Sequence, residues 1–135
     1  MTKIEALAKY LDASLEDILE EADDTFSIGR QKYLVLTEDE ADEMASDKIR
    51  ESIWAFNASF IAAHTKSGLS KASIEIIEAI QFEHCENSQE IIEALIEDLN
   101  HFVGDAIRSY GRGHFISGYD GEENESGEFF IYRTN

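Results

Sequence analysis

Thr25-Phe26-Ser27-Ile28-Gly29-Arg30-Gln31-Lys32-Tyr33-Leu34-Val35-Leu36 is the stretch on which the fold turns. Phe26 and Ile28 alternate with polar neighbours, and Gln31 to Leu36 is a β-favouring run around Tyr33, Leu34 and Val35. Period-two alternation on both sides of Gly29-Arg30 reads as a β-hairpin, although Gly-Arg is a less common two-residue loop than Asn-Gly. A second β-favouring run, Phe129-Phe130-Ile131-Tyr132, closes the chain. Added to the hairpin, it completes a small antiparallel sheet.

The rest of the chain has helical spacing. Thr2 caps a short helix carrying Ile4, Leu7, Ala8 and Leu11. Ser14 with Asp17 suggests a further cap, opening a single turn through Leu15, Ile18 and Leu19. Thr37-Glu38-Asp39-Glu40 is a capping box with acidic residues in the first turn, where the helix dipole favours them. From it the spacing predicts the longest helix, running to about His64. Its buried stripe is Ala41, Ala45, Ile49, Ile53, Phe56 and Phe60, with Trp54 and Ile61 beside it. Another helix, Ser70 to Glu83, buries Ile74, Ile77 and Ile80, with Ile76 as a further candidate. Asn87-Ser88 offers a cap for a helix of about 20 residues bearing Ile91, Ile92, Leu95, Leu99, Phe102, Val103 and Ala106. The expectation is an α+β fold, four main helices on a small antiparallel sheet, forming a single domain over residues 1–135.

Charge narrows the function classes. The 135 residues hold 29 Asp and Glu against 11 Lys and Arg, a net charge of −18. That balance argues against direct nucleic-acid binding through a basic surface and against adsorption to anionic membranes. A single cysteine, Cys85, excludes an intrachain disulfide framework. The N-terminus lacks the pattern of a signal peptide, and no apolar run approaches the roughly 18 residues that span a bilayer. A cytoplasmic location is expected. Proline is absent, so the loops turn on Gly, Asn, Asp and Ser.

The acidity is unevenly placed. Between Ala72 and Ile107 there is no Lys or Arg, yet Glu75, Glu78, Glu83, Glu86, Glu90, Glu93, Glu97, Asp98 and Asp105 fall there. On one continuous helix Glu90, Glu93, Glu97 and Asp105 share a face, with successive carboxylates about 5–6 Å apart along the axis. That is near the phosphate spacing of a nucleic-acid strand. These residues and Glu86 form the first candidate surface for binding a basic protein; Glu38, Asp39, Glu40, Asp42 and Glu43 form the second. The ordinary alternative is that acidic faces are simply solvated.

Other constellations are weaker. His64, His84, His101 and His114 lie far apart, and Glu97 and Asp98 with His101 make only half of a metal-ligand pattern. No metal site and no cofactor are expected. Asp120, Glu122, Asn124 and Ser126 alternate as calcium-loop ligands do, but Glu125 stands where such a loop needs glycine, so an acidic surface loop is the default. Cys85 adjoins His84, yet helical neighbours diverge and Glu83 and Glu86 oppose a thiolate, so a buried or idle cysteine is expected. Arg112, His114, Tyr119 and Asp120 gather on the glycine-rich segment Gly111–Gly121 as a possible ligand loop. Its alternative is a structural return to the sheet with Phe115 and Tyr119 packed inward.

The segment His114-Phe115-Ile116-Ser117-Gly118-Tyr119-Asp120-Gly121-Glu122-Glu123-Asn124-Glu125, with Phe130-Ile131-Tyr132-Arg133-Thr134-Asn135, resembles the ending of small acidic proteins encoded by tailed phages and related mobile elements. Tyr33-Leu34-Val35-Leu36-Thr37 and Ile53-Trp54-Ala55-Phe56-Asn57 also resemble that group. The resemblance covers about half of the chain in short pieces and carries over no catalytic residue. It implies a phage or prophage origin and a role directed at the host, since small acidic phage proteins include DNA mimics and inhibitors of restriction, CRISPR and repair enzymes. Three readings follow. One is a non-enzymatic protein that blocks a basic host surface, and another a small enzyme or ligand-binding domain using Arg112–Asp120. The third is an oligomeric accessory protein, such as a homodimer, pairing helices through Trp54, Phe56, Phe60 and Ile61.

Overall fold

In chain order the computed structural model, which describes Met1–Asn135, contains α1 Lys3–Leu11, β1 Leu19–Ala22, β2 Thr25–Ile28, β3 Gln31–Leu36, α2 Glu38–Glu51 and α3 Ala58–Ala63. There follow α4 Lys71–His84, α5 Gln89–Leu95, α6 Leu99–Tyr110, α7 Arg112–Ile116, β4 Asn124–Ser126 and β5 Phe129–Arg133. Single 3-10 turns lie at Leu15–Asp17, Ile53–Ala55 and Cys85–Ser88. The fold is α+β. The chain forms two compact units, one of Met1–Ser46 with Tyr110–Asn135 and one of Asp47–Ser109, and their borders fall within α2 and α6.

The first unit holds the sheet. β2 and β3 form the hairpin, pairing Phe26 with Tyr33 and Ile28 with Gln31 around Gly29, whose φ of +60° suits glycine. β5 joins β3 with Val35 opposite Ile131. β1 and β4 extend the edges, giving five antiparallel strands in the order β1-β2-β3-β5-β4. Leu19 thus belongs to a strand and not to the turn begun at Ser14, whose hydroxyl makes no capping bond. Alternation turns Phe26, Tyr33, Val35, Phe129 and Ile131 toward Ala6 and Leu7 of α1. A buried hydrogen bond from Ser126 Oγ to the Ala6 carbonyl, 2.7 Å, fixes β4 against that helix. Both capping boxes form, Thr2 with Glu5 and Thr37 with Glu40. Lys3 also joins Asp24 and the Glu40 carboxylate, the latter at 2.7 Å.

In the second unit the helices are shorter than their periodicity implies. The helix expected from Thr37 to His64 stops at Glu51, passes through the Ile53–Ala55 turn and restarts as α3. Ser52 Oγ bonds back to the Lys48 carbonyl at 2.7 Å, and Asn57 caps α3 through the Ser59 amide at 3.0 Å. Two glutamines replace the lost helical bonds. Gln81 Nε2 donates to the carbonyls of Trp54 and Phe56, 2.7 Å each, while Gln89 accepts from the Trp54 amide and donates to the Arg50 carbonyl.

The helix expected from Ser88 through Ala106 is likewise two, α5 and α6. Ile96 leaves the helix extended and forms an isolated antiparallel bridge with Thr65, and the Glu97 amide donates to the His64 carbonyl at 3.0 Å. Asp98 then caps α6 through the His101 amide at 3.1 Å. Ser88 does not cap α5; its hydroxyl bonds the Cys85 carbonyl at 2.6 Å. Ile49, Ile53, Ile61, Ile92 and Phe102 are fully enclosed, and Phe56, Phe60 and Phe102 pack with ring centroids 5.1–5.5 Å apart. Five residues expected in the core or as candidates for it depart from it: Ile76, Ile91 and Leu95 are exposed, and Ile74 and Ile80 are only half-buried. No helix is long and apolar enough to cross a membrane.

Candidate functional site

The break at Ile96–Asp98 dismantles the single acidic face. Glu90 and Glu93 lie on α5, Glu97 in the break, and Glu86 in the turn before α5. Asp105, on α6, points elsewhere: its carboxylate meets His64, His101 and Arg108. A regular row of carboxylates at phosphate spacing is not formed, because it requires one uninterrupted helix. What survives is local. Glu86, Glu90, Glu93 and Glu97 form no ion pair, and no Lys or Arg lies between Ala72 and Ile107.

The second acidic cluster is mostly consumed internally. The Arg112 guanidinium, 9% exposed, pairs with Glu123 at 2.8 Å and with Glu38 and Asp42 at 3.0 Å each, and lies 4.6 Å from the Phe130 ring centroid. Burial works against this cation, but the Glu123 and Asp42 carboxylates outweigh it and raise its pKa further. The Tyr132 hydroxyl donates to the same Glu123, and burial together with that carboxylate raises its pKa. Glu40 is held by Lys3 and Thr37, which lower its pKa. Asp39 and Glu43 remain exposed without ion pairs.

The expected ligand loop is not a loop at its start, since Arg112–Ile116 is helical. Gly113 is buried there, and a Cβ would stand 2.5 Å from the Gly121 carbonyl oxygen, so the position takes only glycine without a shift of backbone. Arg112 is committed to its carboxylates. Asp120 accepts from the Glu122 amide at 3.0 Å and meets the Ser117 hydroxyl at 2.9 Å, contacts that lower its pKa. His114 is exposed and stacks on Tyr110, centroids 5.2 Å apart. Tyr119 is exposed too, beneath the Arg133 guanidinium at 3.6 Å, so it does not pack inward as the structural alternative required; Phe115 is half-buried. Cys85 is exposed, with a φ of +48°.

Two features were missed by sequence reasoning. The first is an apolar presence on the acidic helices: Phe82 is 90% exposed, Ile76 60%, Ile91 54% and Leu95 41%. Ile76 and Leu95 line a groove of about 120 Å³ with Ile77, Thr65, Ser67 and Ser73. Ile91 and Leu95 stand one turn apart on α5, and Glu78 stands one turn before Phe82 on α4. The residues proposed for helix pairing are not part of this surface, as Phe56 and Ile61 are buried and Trp54 and Phe60 half-buried.

The second is a pair of histidines. His64 and His101, remote in the chain, have ring centroids 5.3 Å apart. Asp105 Oδ2 lies 2.7 Å from His64 Nε2 and 3.4 Å from His101 Nε2, while Asp105 Oδ1 takes the Arg108 guanidinium. The His64 contact, then Arg108, lowers the Asp105 pKa. His101 and Asp105 are four residues apart on α6, which was legible; what brings His64 to them is the Thr65–Ile96 bridge. Comparison with family models, with curated proteins and with solved structures gives no match.

Proposed function

We propose that this is a non-enzymatic binding protein whose α4–α5 surface engages a basic surface of another protein, in the setting of a phage-type protein acting on its host. One observation carries the reading: large apolar side chains stand exposed on α4 and α5, elements that also carry Glu78, Glu90 and Glu93, which form no ion pair. Ile76 and Leu95 meet across one groove, and contiguous exposed apolar surface marks interaction sites. Apolar anchors rimmed by charge of one sign are the anatomy of a recognition surface. Phe82, with Ile91 and Leu95, supplies contact area, while Glu83, Glu86 and Glu90 steer a lysine- and arginine-rich partner and set register. Mimicry of a regular phosphate row is no part of this reading.

The test is affinity capture from a bacterial host lysate on three baits: the native chain, Phe82→Ala with Leu95→Ala, and Glu83→Lys with Glu86→Lys and Glu90→Lys. All five positions are exposed, so circular dichroism should show an unchanged fold. A basic protein retained by the native chain, lost from both variants and released by salt, is the expected result. Equal retention on all three baits, or none on the native chain, would overturn the reading.

A further inference from the structure

We propose that His64, His101 and Asp105 form a binding site for a transition-metal dication of the zinc type. The three offer ligand atoms that all lie within 4.8 Å of one another. Four-coordinate zinc, with bonds of about 2.0–2.1 Å, separates its ligands by about 3.3 Å. Each donor therefore needs only a small movement to share one ion.

His64 makes the case specific. Its side chain is 8% exposed, enclosed by Phe60 and Phe102 at centroid distances of 4.9 and 5.1 Å. Nδ1 sits 2.9 Å from the Phe60 carbonyl oxygen, an atom that only accepts, so Nδ1 carries a proton. Nε2 is then left facing the Asp105 carboxylate, also an acceptor. A dication placed between them would engage Nε2 and the carboxylate together. An imidazole whose Nδ1–H is fixed by a backbone carbonyl, presenting Nε2 outward, is the usual posture of a metal ligand. Arg108 on the other Asp105 oxygen holds the carboxylate in orientation, as outer partners of metal ligands do.

His64 and His101 line a cleft of about 370 Å³, as do Glu97 and Asp98. Those carboxylates attract a dication, and the cleft leaves a coordination position for water or for a donor from outside. Two imidazole nitrogens select zinc, copper or nickel over magnesium and calcium, which prefer oxygen. This site stands independently of the α4–α5 surface.

The experiment is calorimetric titration of the full chain, without a histidine tag, with Zn²⁺ at neutral pH, and with Co²⁺ as a spectroscopic probe. One ion per chain and visible Co²⁺ bands of a four- or five-coordinate site are expected. His101→Ala, at an exposed position, should weaken binding at least about tenfold and remove the bands. His84→Ala with Cys85→Ser should leave both unchanged, and Mg²⁺ should not compete. No saturable binding would overturn the proposal. So would binding that survives His101→Ala, or that vanishes only when His84 and Cys85 are replaced, since the ion would then sit elsewhere.

Discussion

Replacing Arg112 by methionine tests the internal use of charge in the first unit. The guanidinium gathers Glu123, Glu38 and Asp42 and covers Phe130. Glu38 and Asp42 are largely open to water, so each pair is worth about 0.5 kcal/mol after screening. The more sheltered Glu123 contact is worth about 1.5 kcal/mol and the cation–π contact about 0.5 kcal/mol. Methionine restores part of the packing but leaves three carboxylates facing one another, so the expected loss is about 2–3 kcal/mol. For a chain of this length that lowers the melting temperature by about 10 °C. The assay is thermal unfolding by circular dichroism at low salt, repeated at high salt. The deficit should shrink as salt is added, because screening weakens the same ion pairs in the native protein. Lysine, a point charge without the planar fork, should fall between the two. A methionine variant melting within 2 °C of the native chain, on the same scale of about 4 °C per kcal/mol, would refute the reasoning. So would a deficit that persists undiminished at high salt.

Gly113→Ala should cost about 1–3 kcal/mol or more, since the new methyl would meet backbone atoms of Gly121, Glu122 and Glu123 at 2.5–2.9 Å; an unchanged melting curve would mean that those residues can retreat. Gln81→Met removes the donor to two carbonyls at the break after α2 and should cost about 1–3 kcal/mol, read by denaturant unfolding of Trp54 fluorescence. Glu40 has a lowered pKa, chiefly through its hydrogen bond from Lys3. Its stabilising contribution is therefore complete above the ordinary glutamate value of about 4.3 and is lost as the pH falls through the lowered folded value. Glu40→Gln should make stability less steep over that acid range, and a profile parallel to the native one would count against the Lys3–Glu40 pair.

The sheet was legible because its signals are local. The alternation of Phe26 and Ile28, the run Tyr33–Leu36 and the run Phe129–Tyr132 each carry their own period, and the caps at Thr2 and Thr37 sit where the chain uses them. The two helix breaks were not, because hydrophobic spacing continues across them: Ile49, Ile53, Phe56 and Phe60 keep intervals of three and four whether or not the helix is whole. Asn57 and Asp98 were the available stop-and-restart signals, outvoted by the longer pattern. Short edge strands such as β1 and β4 carry too few residues to declare a period. Arg112 among glycines resembled a ligand-binding side chain, and only the tertiary arrangement supplies its carboxylates. The pairing of His64 with His101 depends on a bridge between Thr65 and Ile96, which no local pattern encodes.

That bridge has a dynamic consequence. The hydrogen bond from the Glu97 amide to the His64 carbonyl joins the segment entering α6 to the end of α3. Any opening that separates the two histidines must break it first or with them. The exchange rate of this one amide with solvent therefore counts how often the cluster comes apart, residue by residue and without a label. Slow exchange would mark the junction as part of the cooperative core, and fast exchange as a latch that works loose while the phenylalanines behind it remain packed.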